Sequence, residues 1–237
     1  MAKLSGKKVL VIGGSSGIGY ATAAGAVAEG AKVTIASRSE EKLQAARKLL
    51  DGRVEARRLD LADTADVEAF FDSSPTYDHI VISGAAFKTG PVRELSLDDA
   101  YAAMNVKFWG PYRVARKARV ASDGSFVFIS GFLSRRPKPN VVLLGAMNAA
   151  IESLAQGLAL EMAPVRFNAV SPGMIDTPYR ASMPAAARKT LLENVANSLP
   201  VKRVGQAEDI ADQVLLLLRN TFATGTVVYL DGGGLLV

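Results

Sequence analysis

The chain has 237 residues, 49% of them hydrophobic and 22% charged, with a net charge of +5 and a pI near 9.5. That length suffices for one α/β domain with a large core, and the composition is that of an ordinary globular protein. There is no cysteine, which excludes a disulfide framework, a zinc site and a thiol nucleophile, and no metal is expected.

The uninterrupted apolar runs fall short of the roughly 18 residues that a membrane span needs. The opening MAKLSGKKVLVIGG lacks the layout of a signal peptide. A cytoplasmic location without membrane association is the expectation. Two basic clusters, Arg113, Arg116, Lys117 and Arg119 at helical spacing and Arg135, Arg136 and Lys138 in a loop, read as a solvated helix face and a basic loop. No nucleic-acid motif accompanies them, so nucleic acid is not expected as a partner. The loop cluster keeps the option of attracting an anionic ligand.

In chain order, β-branched runs at 8–12, 32–36, 54–59, 79–83, 125–130, 165–170 and 226–230 read as strands. Amphipathic stretches at 17–29, 40–50, 64–72, 97–119, 145–162 and 207–219 read as helices. Val and Ile runs with little alternation suit strands buried on both faces. The regular alternation predicts right-handed βαβ units. The expected fold is α/β: a single-domain, doubly wound parallel sheet of about seven strands over residues 1–237, helices on both faces. The longest irregular stretch follows Val170, and residues 171–190 are expected to form a lid over a substrate.

VLVIGGSSGIG, residues 9–19, places a Gly-rich turn between the first strand and an Ala-rich helix. Gly13 can take dihedrals closed to other residues. Gly17 leaves the backbone open to a pyrophosphate, and Gly19 lets the helix pack closely on the strand. Ser15, Ser16 and Ile18 complete the turn at the helix N-terminus, where free N–H groups and the dipole favour phosphate. At the end of the second strand, Ser37 and Arg38 stand where an acidic residue would bind a ribose 2′-hydroxyl. An Arg there suits a 2′-phosphate, so NADP(H) is expected over NAD(H).

These motifs resemble those of the short-chain dehydrogenases/reductases, over nearly the whole chain. LDLAD resembles the adenine-contacting segment, with Asp60 and Leu61 in place. ISGAA resembles the segment after the fourth strand, with Ser83 and Gly84. AMNVKFWG carries the long helix's Asn as Asn105. FNAVSPGMIDTP resembles the nicotinamide-holding segment, with Pro172, Gly173, Ile175 and Thr177. The resemblance implies a Rossmann-type fold, a small-molecule substrate and a homodimer or homotetramer.

The family's Ser, Tyr and Lys are a different matter. Alignment on MNAAIESLAQGLALEMAP puts Gly131, Leu144 and Asn148 at those three positions. Leu144 cannot donate a proton, and Asn148 is neutral, although its amide can still hydrogen-bond ribose hydroxyls. Ser130, adjacent to Gly131, Asn105 and Asn148 are the candidate catalytic residues. Arg135, Lys138 and Tyr179 are weaker substitutes. Lys107, two positions from Asn105, is expected to point away from it on a helix. His79, at the start of its strand, reads as structural, and Trp109 and Tyr112 as core or subunit contacts. Three readings stay open: an NADP(H)-dependent oxidoreductase on a small alcohol/carbonyl or enone with atypical proton delivery, a non-catalytic NADP(H)-binding protein, and a non-redox isomerase or lyase.

Overall fold

The computed structural model describes residues 4–83, 88–178 and 183–237. Its elements run β1 (Lys8–Ile12), α1 (Gly17–Ala28), β2 (Lys32–Ser37), α2 (Glu40–Leu49), β3 (Val54–Arg58), α3 (Thr64–Asp72) and β4 (Tyr77–Ile82). Then come α4 (Leu97–Met104), a π-helical turn (Asn105–Trp109), α5 (Gly110–Lys117), β5 (Val120–Ile129), a 3-10 turn (Phe132–Ser134) and α6 (Val142–Glu161). The chain closes with β6 (Arg166–Pro172), β7 (Ile175–Asp176), α7 (Ala185–Ser198), β8 (Gly205–Gln206), α8 (Ala207–Arg219) and β9 (Val227–Leu230).

Seven strands form one parallel sheet in the order β3-β2-β1-β4-β5-β6-β9. Pleating sends alternate residues to opposite faces. Val9, Val11, Val33 and Ile35 therefore meet Ala23 and Ala26 of α1, Leu43 of α2 and Val214 and Leu218 of α8. Leu10, Ile12, Ile80, Phe126 and Phe128 meet Phe70 and Phe71 of α3, Val114 of α5 and Ile151 and Ala155 of α6. Phe126 of β5 stacks on Phe167 of β6 with ring centroids 4.5 Å apart, which fills the centre of this second core. Helix α6 has the length and apolarity of a membrane span, but Met147, Ile151 and Ala155 are buried in the folded protein.

The strand order reverses between β1 and β4, which opens a crevice at the carboxyl ends of the strands. Three features differ from the sequence expectation. The stretch expected as one helix at 97–119 is broken by the π-turn, a local widening that re-aims the side chains it carries. Helix α7, within and beyond the expected lid, has no buried residue and so no periodic apolar stripe to reveal it. β5 begins at Val120, five residues earlier than expected, after a shift of register against β4 between Tyr77 and His79.

Three basic residues of α5 and the following loop have internal partners. Arg113 donates to the Leu61 carbonyl at 3.2 Å, Arg119 to the Ser74 carbonyl at 2.6 Å, and Lys117 pairs with Asp72 at 2.8 Å. His79 is buried on β4, its Nδ1 2.9 Å from Ser125 Oγ. Burial, helped by nearby Arg166, brings its pKa down to about 4. Below pH 6.5 the unfolded chain takes up a proton that the folded chain refuses, so stability falls as pH drops towards 4. The slope from this one group approaches about 1.4 kcal/mol per pH unit. Urea unfolding of the wild type and His79→Gln across this window should show a shallower loss in the variant; parallel curves would contradict the assignment.

Candidate active site

At the amino side of the crevice, β1 turns into α1 through Gly13 at φ +83°. A Cβ on Gly13 would lie 1.7 Å from the Ser83 carbonyl oxygen, so only glycine lets β1 and β4 end this close together. Ser83 N donates back to the Ile12 carbonyl at 2.8 Å. Ser16 occupies the N-cap of α1, but its side chain does not cap the helix, and the first-turn N–H groups stay open to a ligand. Thr177 lies over this turn, its side chain 3.5 Å from the place a Cβ of Gly17 would take. Ser15 and Ile18 are half-buried beside it.

At the far end of this cleft Arg38 is exposed and has no hydrogen-bond or ion-pair partner among the described residues. Ser39 caps α2, and Ser37 closes β2 opposite Arg58 of β3. Asp60 accepts from Ala62 N at 3.0 Å, which shapes the turn after β3, and Leu61 is buried beneath it. Pro172 ends β6, and Gly173 N donates to the Leu230 carbonyl at 2.9 Å. Ile175 and Asp176 follow as β7, and Asp176 pairs with Arg188 of α7 at 2.5 Å. Gly84, Tyr179 and Arg180 lie outside the described residues.

The carboxyl end of β5 is arranged differently from the sequence expectation. The Ser130 hydroxyl is buried and donates to Glu152 Oε1 at 2.9 Å rather than into the crevice. Asn105 is turned towards the adjoining loop: its Nδ2 donates to the Ala62 carbonyl at 3.0 Å, and its Oδ1 accepts from Arg113 at 2.7 Å. Lys107 does point away from Asn105, and that direction takes it to β5. Its Nζ donates to the carbonyls of Ile129 at 2.8 Å and Ser130 at 3.4 Å. It lines one small cavity together with Leu61, Ile82, Phe128 and Ile151. Burial brings its pKa down to about 8, against the opposing pull of the Glu152 charge.

Gly131 and Asn148 are packed together. A Cβ on Gly131 would come within 2.7 Å of Asn148 Nδ2, so the amide fills the space a serine side chain would need. Asn148 is 2% exposed, and its Oδ1 has no hydrogen-bond partner among the described residues. A buried amide oxygen left without a donor costs about 1–3 kcal/mol. One turn on, Glu152 gathers hydroxyl donors. Its Oε1 accepts from Ser130, from Ser134 at 2.7 Å and from Ser171 at 3.0 Å, and its Oε2 accepts from Tyr229 at 2.9 Å. Arg135 Nε donates to the Tyr229 oxygen at 2.9 Å, and Lys138 lies over the Phe132 ring, so both loop cations are engaged locally.

Glu152, Tyr229 and the placement of Lys107 were not read from the sequence. A signal for Glu152 was there: an ionisable residue on the buried Met147–Ile151–Ala155 side of an apolar helix. No local signal marks Tyr229, which reaches Glu152 from 77 residues away.

Comparison with known proteins agrees with this geometry. A family model described as enoyl-(acyl carrier protein) reductase matches residues 12–234. The short-chain dehydrogenase/reductase ucsE of an Acremonium species is 30% identical, over 99% of this chain and 97% of the relative. The chain belongs to the short-chain dehydrogenase/reductase family. The solved structure of MalC reductase/Diels-Alderase from Malbranchea aurantiaca superposes with a TM-score of 0.93 at 27% identity, covering 100% of this chain and 99% of that one. A short-chain dehydrogenase from Burkholderia cenocepacia, solved in complex with NADP, gives 0.87 at 30% identity, covering 98% of each chain. This is an oxidoreductase family that binds nicotinamide cofactors.

The packing of Gly131 on Asn148 can be measured. Gly131→Ser should lose about 1–3 kcal/mol of stability through overpacking. Asn148→Ala should relieve it, with a coupling of at least about 0.5 kcal/mol in urea unfolding of the double-mutant cycle. Strict additivity would show that the contact does not shape the site.

Proposed function

We propose that the protein is an NADP(H)-dependent oxidoreductase acting on a small carbonyl, alcohol or enone. The observation that carries this reading is the buried Asn148 Oδ1, which lacks a donor among the described residues. It stands at the position where the family holds the nicotinamide ribose, and a ribose hydroxyl is a donor of the right kind. Gly13, Ser15, Ser16, Gly17, Ile18 and Gly19 fit the pyrophosphate, and Asp60, Leu61 and Ser83 fit the adenosine side of the cleft; Gly84, assigned there from the sequence, lies outside the described residues. Pro172, Gly173, Ile175 and Thr177 fit the nicotinamide side. Bound there, the cofactor supplies or accepts the hydride.

Preference for NADP(H) rests on Arg38 and Ser37. An unpaired exposed guanidinium at the end of β2 suits the bidentate, charge-assisted bonds of a 2′-phosphate. The Burkholderia relative's complex with NADP supports the same choice. Leu144 on α6 gives an apolar wall where the family has its proton-donating Tyr, so proton delivery must come from another element. The stretch 171–190, of which 171–178 and 183–190 are described, is assigned to the substrate side. A location in the cytoplasm and assembly as a homodimer or homotetramer belong to the same reading.

Calorimetric titration with both nucleotides tests it. Wild type should bind NADPH more tightly than NADH. Arg38→Ala should weaken NADPH binding more than tenfold, about 1.4 kcal/mol or more, and leave NADH binding nearly unchanged. Equal losses for both nucleotides would contradict the 2′-phosphate reading, and binding of neither would contradict the redox reading.

A further inference from the structure

We propose that Lys107, reaching the carboxyl end of β5 from the π-turn, is the cationic proton donor of this site. It would take over work that the missing α6 Tyr and Lys can no longer do. The inference rests on the oxidoreductase reading above and adds the residue that completes it.

The placement is specific. Lys107 Nζ is held by the carbonyls of Ile129 and Ser130. Ser130 is bonded directly to Gly131, where the family's carbonyl-polarising Ser would stand. Two of the ammonium's three hydrogens are used by those carbonyls, and a lysine ammonium has three to give. The third has no acceptor among the described residues. The other groups nearby are committed or inert. The Ser130, Ser134 and Ser171 hydroxyls all donate to Glu152, as does Tyr229. Leu144 has no proton to give, and Asn148 does not ionise.

The lysine's surroundings suit an acid. The charged group acting on it is Glu152 on α6, which favours the ammonium. Leu61, Ile82, Phe128 and Ile151 line the same small cavity as the lysine, and burial disfavours the charge. A donor balanced near neutral pH is the effective kind, since protonation and readiness to give up the proton are then both appreciable. The π-turn matters as well: such turns recur at functional sites because they re-aim one side chain without ending the helix.

The step balances. The carbonyl carbon accepts a hydride from the reduced nicotinamide, and the C=O π pair moves onto oxygen. Lys107 Nζ gives the proton that forms the hydroxyl. The two electrons leave the cofactor oxidised, and the lysine, now a neutral amine, regains its proton from solvent.

The test needs no knowledge of the natural substrate. Lysine side chains labelled with 13C at Cε are followed by NMR through a pH titration, with Lys107 assigned from Lys107→Arg. The titration is repeated without nucleotide, with NADPH and with NADP+. A lysine beside the reacting ring should titrate at lower pH with NADP+, whose ring is positive, than with NADPH. Identical midpoints with both nucleotides bound at saturation would overturn the proposal. If calorimetry shows that neither nucleotide binds, the oxidoreductase reading falls first and this proposal with it, an outcome distinct from a bound nucleotide that leaves Lys107 unmoved. With 9,10-phenanthrenequinone as carbonyl probe, Lys107→Met should lower kcat by about 100-fold or more. NADPH affinity should stay within about threefold, and Lys107→Arg, whose guanidinium keeps its proton, should not recover the rate; full recovery by Lys107→Arg would overturn proton donation. An unchanged kcat in a folded Lys107→Met protein would overturn it equally.

Discussion

The carboxylate of Glu152 is the fixed point of the active-site edge. It is 6% exposed, and both of its oxygens are occupied by hydroxyls from different parts of the chain. Ser130 comes from the end of β5, Ser134 from the turn after it, Ser171 from β6 and Tyr229 from β9. A buried carboxylate is tolerated only when such donors surround it. Three parallel strands that share no loop are thereby drawn to one helix at their carboxyl ends. The directions of the β5–α6 and β6–β7 connections follow from it, and so does the commitment of the Ser130 hydroxyl.

Much of the fold was legible because its causes are local. The unbroken run of Val, Leu and Ile on β1 and the β-branched residues of β2 predict strands whichever helices cover them, and the β1–α1 turn is written in Gly13, which the Ser83 carbonyl requires. The cofactor cleft inherits this legibility, since it is made of strand ends and the turns that follow them. The catalytic edge does not. Asn105 and Ser130 were sensible candidates by residue type, but their directions are decided by Arg113 and Glu152, which lie 8 and 22 residues away in sequence. Helix α7 escaped notice because none of its residues is fully buried. The position of Lys107 depends on a widened helical turn and on carbonyls of a strand that starts after the helix has ended.

The segment from β7 to α8 is built on another principle. Helix α7 contributes no side chain to the core, and its described tie to β7 is the Asp176–Arg188 pair. Arg203 and Asp209 make a similar tie at 2.5 Å across β8 and the start of α8. Elements with little buried apolar surface belong to the least stable part of a fold and open without disturbing the rest. The sheet and the Glu152 junction therefore do not depend on α7 for their packing.

The contact between Gly131 and Asn148 ties two distant places in the sequence together. A side chain at 131 would meet the amide, and the amide keeps its place because 131 has none. The dependence runs one way: 148 can change size while 131 stays bare, but 131 can gain a side chain only once 148 has shrunk or turned aside. Packing thus sets an order in which the two positions can vary, and the helix has to yield before the strand end can.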